Sequence, residues 1–96
     1  MAKLSSYGRK VVAKVAIDRP ILPEDIGHVT ERRVLRAIMD DGTILAMRQV
    51  RFAPDQYKPK GELHDWGWHR FGICTHGETP ESKVAEYVAH GWRIIA

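Results

Sequence analysis

Four side chains of the kind that bind metals lie close together in the second half of the chain: His64, His69, Cys74 and His76. Zinc takes imidazole and thiolate ligands in a tetrahedral array. Residues two apart in a strand point the same way, so Cys74 and His76 could share a site. The spacing matches none of the usual finger or ribbon patterns, and one cysteine supplies a single thiolate. The pattern favours histidines on a strand beside a buried cysteine, predicts no cofactor, and leaves a small zinc-stabilised domain as an alternative.

An aromatic segment overlaps these residues and carries basic side chains. It comprises Tyr57, Lys58, Lys60, Trp66, Trp68, Arg70 and Phe71. Trp66 and Trp68 point to the same face if the strand is regular. Rings beside cations stack nucleobases in single-strand binders, and Trp, Tyr and Arg also dominate protein-binding hot spots. Because a small domain needs large side chains in its interior, we also expect at least one tryptophan to be core.

Seven of the basic residues between positions 10 and 51 form a second candidate surface. They are Lys10, Lys14, Arg32, Arg33, Arg36, Arg48 and Arg51. On one sheet face they could contact phosphates, which supply most sequence-independent affinity for nucleic acid. The alternative is a solvated face whose arginine stems cover apolar surface. The predicted binding residues are Arg32, Arg36, Arg48, Arg51, Tyr57, Lys58, Lys60, Trp66, Trp68 and Arg70.

Catalytic motifs are missing from the sequence. It has no glycine-rich phosphate loop, no nucleophile elbow and no His-Glu-x-x-His pattern. Cys74 and His76, two apart on a strand, do not make the usual geometry of a nucleophile and its base. We therefore expect no catalytic residue and no enzyme activity.

Composition indicates one folded, cytoplasmic domain over residues 1–96. Apolar residues make up 44% and charged residues 28%, as in ordinary globular proteins. A lone cysteine excludes an intrachain disulfide, and the sequence offers neither a signal peptide nor an apolar run of the ~20 residues that a membrane helix needs. Residues 1–60 hold 12 Lys and Arg against 7 Asp and Glu, whereas residues 61–96 hold 3 against 5. This asymmetry favours an acidic partner for the first part.

The first half of the chain is predicted to form three strands. Residues 1–8 are expected to be a loose arm, 9–17 a strand, and 18–29 a turn-rich connection with a short helical turn at 23–26. Residues 30–52 favour a β-hairpin closed by a two-residue turn at Asp41-Gly42, in which Asp40 faces Thr43. The rival interpretation makes 31–39 a helix capped by Thr30, as in a winged-helix DNA binder.

The second half is predicted to form a long loop, a strand, a helix and a final strand. Residues 53–65 are predicted to be a long loop and 66–75 a strand with a bulge at its glycines. Thr79 as N-cap and Pro80 at the first position predict a helix over about 80–90, ended by Gly91. Its buried stripe is expected to be Val84, Ala85, Val88 and Ala89, with Tyr87 at its edge. Residues 92–95 then form a final strand.

The sum is an α+β domain: a small antiparallel sheet of four or five strands, in the order β-β-β-β-α-β, with the helix packed on one face. We expect a non-catalytic binding module that associates with nucleic acid or a nucleic-acid-handling complex. The alternative is a protein-binding regulator or inhibitor, such as a phage or mobile-element factor acting on a host enzyme complex. A homodimer is a further possibility, since it would enlarge a small core.

Overall fold

The computed structural model describes residues 8–25 and 27–95. Within them, one α-helix and six strands alternate with turns, and a three-residue 3-10 helix, Pro23–Asp25, follows the first strand. In chain order the elements are β1 Val11–Arg19, β2 Val29–Met39, β3 Thr43–Phe52, β4 Leu63–Asp65, β5 His69–Ile73, α1 Pro80–Ala89 and β6 Arg93–Ile94. The predicted arm at 1–8 lies outside the described residues except for Gly8, as does the last position of the predicted turn at 23–26.

All strands belong to one antiparallel sheet in the order β4-β3-β2-β1-β6, with β5 also pairing with β3. The predicted α+β architecture is confirmed, including the late helix and the strand that follows it. The rival helix over 31–39 is wrong, because β2 covers that whole stretch. Its β-branched and apolar residues pair with neighbours on both sides, and that pairing outweighs their helical spacing.

The turn between β2 and β3 has three residues, 40–42, instead of the predicted two. The Gly42 amide donates to the Met39 carbonyl at 3.0 Å, and Gly42 has φ of 88°, which is typical of a turn that ends in a left-handed residue. Asp41 accepts hydrogen bonds from the Thr43 amide and hydroxyl, and these bonds lower the pKa of its carboxyl. The extra residue shifts the predicted strand pairing by one position.

This shift decides which side chains share a face. Leu35 pairs with Met47 and Arg36 pairs with Ala46, and side chains that are directly opposite each other point to the same side of a sheet. We call the two sides the Leu35 face and the Arg36 face. The predicted two-residue turn would have placed Leu35 on one face with Ala46, and Arg36 on the other face with Gln49 and Arg51; the observed pairing separates these residues.

Each face carries a small core. On the Leu35 face, Ala16, Leu35 and Met47 are buried, and Trp68 and Ile95 pack against them. On the Arg36 face, the buried residues lie toward the turn between β2 and β3, and they are Ala13, Val15, Ile38 and Ile44. Helix α1 contacts β1 and β2 there, so the other end of this face is left open.

The strand predicted over 66–75 is shorter, because the edge of the sheet is broken there. Strand β4 pairs with the end of β3, and β5 pairs with its start. Between them, Trp66, Gly67 and Trp68 belong to no strand. Gly67 has φ of 86°, a left-handed conformation that glycine adopts without steric cost. The period-two alternation ends at this point, so the two tryptophans need not share a face.

Helix α1 has the predicted cap but presents a different side to the sheet. The Thr79 hydroxyl accepts from the Ser82 amide, and the Ser82 hydroxyl oxygen accepts from the Thr79 amide, a reciprocal capping box. Tyr87 and Val84 are half-buried, whereas Ala85, Val88 and Ala89 are exposed, so the predicted stripe is wrong. Tyr87 offers more apolar surface than any alanine and stacks on the Trp92 ring at 5.2 Å.

The predicted loop at 53–65 is shorter and more ordered than expected. The Asp55 carboxylate accepts hydrogen bonds from the Tyr57 and Lys58 amides at 2.8 and 2.7 Å, as in an Asx turn. Strand β4 then covers residues 63–65.

Among the described residues no helix has the length and apolar character needed to cross a membrane.

Gly61 and Gly67 provide a matched test of loop geometry. Both have positive φ, 82° and 86°, but a Cβ on Gly61 would collide with the Phe52 carbonyl oxygen, whereas one on Gly67 would meet open space. We expect Gly61→Ala to lower the free energy of unfolding by about 3 kcal/mol and Gly67→Ala by about 1 kcal/mol. Urea denaturation of both variants measures the difference, and equal losses would contradict the geometry of the 53–62 loop.

Candidate functional site

The open end of the Arg36 face forms a groove of about 590 Å³. We call it the arginine groove and define it by four arginines and two rings: Arg19, Arg32, Arg36, Arg48, Trp66 and Phe71. The strand pairing brings them together, because Arg19 is opposite Arg32 and Arg48 is opposite Val34. Ala46, opposite Arg36, contributes only a methyl group, and this small side chain gives the groove its depth.

Arg36 is held between aromatic rings. Its guanidinium carbon lies 3.4 Å from the centre of the Phe71 ring and 5.3 Å from that of Trp92. Its Nε is buried without a hydrogen-bond partner. Burial lowers the pKa of this guanidinium, and nearby Arg19 lowers it further, against an opposing effect of Tyr87. A guanidinium nevertheless stays charged in proteins, so Arg36 is a preorganised cation with an unsatisfied donor.

Arg48 and Trp66 form a second pair of cation and ring. The Arg48 guanidinium carbon is 4.7 Å from the Trp66 ring centre, which is within cation–π range. The His64 ring meets Trp66 edge-on at 5.3 Å and restricts its rotation. Trp66 still exposes 58% of its surface, and Phe71 exposes 52%. Both rings are thus fixed in position and accessible to a ligand.

Arg32 differs from the other three arginines because it has a carboxylate partner. Its Nε lies 3.2 Å from an oxygen of Asp25, and its guanidinium also donates to the Pro20 carbonyl. Asp25 in turn accepts from the Leu22 amide at 2.7 Å. Arg32 therefore braces the 3-10 helix that forms one wall of the groove. Among the described residues, no carboxylate forms an ion pair with Arg19, Arg36 or Arg48.

Some predicted site residues lie away from the groove. Arg51 is on the Leu35 face, where it pairs with Glu31 at 3.1 Å. Arg70, opposite Leu45, belongs to that face as well. Arg33 lines the groove, but its guanidinium donates to the Gln49 side chain on the Leu35 face. The pairing shift explains these positions, because moving β3 by one residue exchanges its two sets of side chains.

Trp68 is also separated from Trp66. It packs against the buried cluster on the Leu35 face, whereas Trp66 lies in the arginine groove on the opposite face. The two rings would share a face only in a regular strand, and the break at Gly67 places them on opposite faces. The expectation that one tryptophan contributes to the core is met by Trp68.

The remaining predicted residues, Tyr57, Lys58 and Lys60, lie on the loop beyond the end of β3. Tyr57 exposes 82% of its surface, on a backbone held by Asp55. Lys58 forms an ion pair with Glu62 at 2.8 Å, which raises the pKa of the lysine. This loop presents one ring and two cations away from the groove.

The four metal-ligand candidates are not brought together. His64 is opposite Val50 and His69 opposite Ala46, four positions apart on β3, or roughly 13 Å. Cys74 lies beside Gly42 at the far end of the same edge, and burial raises the pKa of its thiol. Throughout residues 8–25 and 27–95, no three His, Cys, Asp or Glu side chains are grouped so as to hold a metal ion.

Arg19 is the groove residue that the sequence analysis missed. The predicted strand ended at Ile17, but β1 continues to Arg19. The alternation of Ala13, Val15 and Ile17 simply extends by one more step, so a longer strand would have placed Arg19 on this face. The role of Trp92 as the second ring beside Arg36 had no signal in the local sequence.

The arrangement can hold an anion and a flat ring side by side. Guanidinium groups donate to phosphate or carboxylate oxygens with charge-assisted hydrogen bonds, and the exposed rings can stack on a planar group. Comparison with protein-family models, with curated proteins and with solved structures gave no match.

The two tryptophans should respond differently to replacement by alanine. Trp68→Ala removes the cover of a buried cluster, so we expect it to lower the free energy of unfolding by about 2 kcal/mol. Trp66→Ala removes an exposed ring and one cation–π contact, with an expected loss below about 1 kcal/mol. Chemical denaturation followed by circular dichroism gives both values. A Trp66 variant as unstable as the Trp68 variant would mean that Trp66 is a core residue.

Proposed function

We propose that this protein binds nucleic acid through the arginine groove and does so without catalysis. The observation that carries the proposal is a set of three arginines, Arg19, Arg36 and Arg48, without carboxylate partners beside two half-exposed rings. Phosphates and bases are the two chemical groups that such a surface can satisfy together.

The arginines of the groove make unfavourable interactions in the free protein, and these support an anionic ligand. Arg19 lies close enough to Arg36 for the two positive charges to repel each other, and neither has a carboxylate partner among the described residues. Arg36 is partly desolvated without an ion-pair partner, which adds a further cost. A bound phosphate would relieve both costs at once, because it supplies negative charge and hydrogen-bond acceptors where the protein lacks them.

The distribution of charge also supports this function. Arg51, on the opposite face, is paired with Glu31. The helix carries two glutamates, Glu81 and Glu86, against one lysine, Lys83. The lining of the groove holds five arginines and one carboxylate, Asp25, although the net charge of the chain is only +3. A localised positive field of this kind steers an anionic polymer to one side of a protein.

A protein partner is the second candidate, and Tyr57 favours it. A tyrosine exposed to 82% on a braced loop resembles the rigid aromatic anchors that dominate protein interfaces. Pull-down with and without nuclease separates the two functions. A regulator or inhibitor of a host complex should retain its partner after nuclease treatment and lose it in Tyr57→Ala.

Arg48→Ala and Arg51→Ala form a matched pair, since each removes one positive charge from β3. Arg48 lies in the groove and Arg51 on the opposite face. We expect Arg48→Ala to weaken binding of a short labelled oligonucleotide about tenfold, equivalent to ~1.4 kcal/mol, and Arg51→Ala to change it less than about twofold. Fluorescence anisotropy at low salt measures both affinities. Equal losses would indicate attraction by net charge alone and refute binding in the groove.

Asp25→Asn should increase the affinity for nucleic acid. The substitution frees Arg32 from its carboxylate partner and removes a negative charge from the wall of the groove. The asparagine oxygen can still accept from the Leu22 amide, so the 3-10 helix should keep its shape. We expect a gain of about threefold to tenfold in the same anisotropy assay, in a variant that circular dichroism shows to be folded. A folded variant with unchanged or weaker binding would place the ligand elsewhere.

A further inference from the structure

We infer that the nucleic acid bound by the arginine groove is a single strand, contacted at about three phosphates. This inference rests on the proposed function and narrows it to one class of ligand. Three separate observations support it: the position of the rings, the small number of available cations, and the shape and charge of the surrounding surface.

The rings are placed to meet the faces of unpaired bases. Trp66 and Phe71 line the groove beside the arginines and are each about half exposed. One side of each ring is next to a guanidinium, at 4.7 Å for Trp66 and 3.4 Å for Phe71. In a double helix the base faces are already stacked on each other, whereas a single strand can turn them outward onto aromatic side chains.

The available cations are too few for a duplex. Arg32 is neutralised by Asp25, so the groove offers three arginines without ion-pair partners among the described residues: Arg19, Arg36 and Arg48. Typical duplex-binding proteins contact about six to ten phosphates. Arg33 also lines the groove, but its guanidinium donates to the Gln49 side chain on the Leu35 face, and Arg51 pairs with Glu31 on that face.

The surroundings of the groove also disfavour a duplex. A protein reads duplex DNA by inserting a helix or a β-ribbon into the major groove. Here the helix lies on the sheet, and its exposed residues Glu81, Ala85 and Val88 provide no basic surface. A volume of about 590 Å³ is of the size that holds a small organic molecule. It accommodates a base with its backbone, and a double helix would remain outside it.

The test compares three labelled oligonucleotides of one mixed sequence: single-stranded DNA, single-stranded RNA and duplex DNA. Anisotropy titrations of the full chain over a range of salt concentrations give affinities and salt slopes. We expect the better single strand to bind at least about tenfold more tightly than the duplex. The slope of log K against log salt should be about −2, as three phosphates on a single strand predict.

Trp66 provides a second readout of base stacking. Binding of the single strand should quench tryptophan fluorescence, and Trp66→Ala should lose most of this quenching and about fivefold in affinity. Trp66→Phe keeps an aromatic face and should retain most of the affinity. Equal losses in the alanine and phenylalanine variants would mean that the ring does not stack on a base and would overturn the inference.

The outcomes distinguish the inference from the function on which it rests. Duplex binding within tenfold of the single strand, or a slope steeper than about −5, would overturn the single-strand inference and leave nucleic-acid binding in place. No binding of any of the three probes at micromolar protein would overturn the proposed function itself.

Discussion

The three-residue turn between β2 and β3 determines which side chains of the two longest strands face the same way. It sets Arg36 opposite Ala46 and Leu35 opposite Met47. With one residue fewer in the turn, Arg48 would point away from Arg32 and Arg36, and Met47 would leave the buried cluster. The apolar core and the arginine groove are therefore two results of one backbone constraint. A change in the register of β2 and β3 would therefore disrupt both the core and the groove.

The break between β4 and β5, at residues 66–68, gives Trp66 and Trp68 different roles. Trp68 covers the Leu35 cluster, and Trp66 lies beside Arg48 in the groove. A continuous strand would have sent both rings to one side, either overfilling the core or leaving it uncovered. The left-handed conformation of Gly67 makes the division possible. One short segment thus connects the stability of the sheet with the chemistry of the groove.

Arg36 links the helix to the groove. Its guanidinium lies between Phe71 of β5 and Trp92, and Trp92 stacks on Tyr87 of the helix. The position of the cation consequently depends on side chains from four separate parts of the chain. A guanidinium held in this way loses little conformational entropy when it binds an anion, since its rotamer is already restricted. The Arg36 side chain is half-buried and lines the groove without a carboxylate partner among the described residues, which is the strongest local reason to expect an anionic ligand.

Much of the secondary structure was predictable because its causes are local. The alternation in β1, the glycine turn after Met39, and Thr79-Pro80 at the start of the helix each act within a few residues, and all appear near their expected positions. The predictions failed where the position of one or two residues mattered: in the turn between β2 and β3 and at the end of β1. Short sequence patterns do not locate the end of a strand or turn to within one residue. In a sheet, a shift of one residue moves every side chain of a strand to the other face.

The sequence by itself therefore determined the α+β class, the order of the elements, the capped helix and the presence of many basic and aromatic residues. Only the tertiary structure decided which of those residues meet. Arg19, Arg36 and Arg48 come from three different strands, and Trp92 reaches Arg36 from across 56 residues of chain. Such contacts depend on strand pairing and packing between distant segments, and no local spacing encodes them.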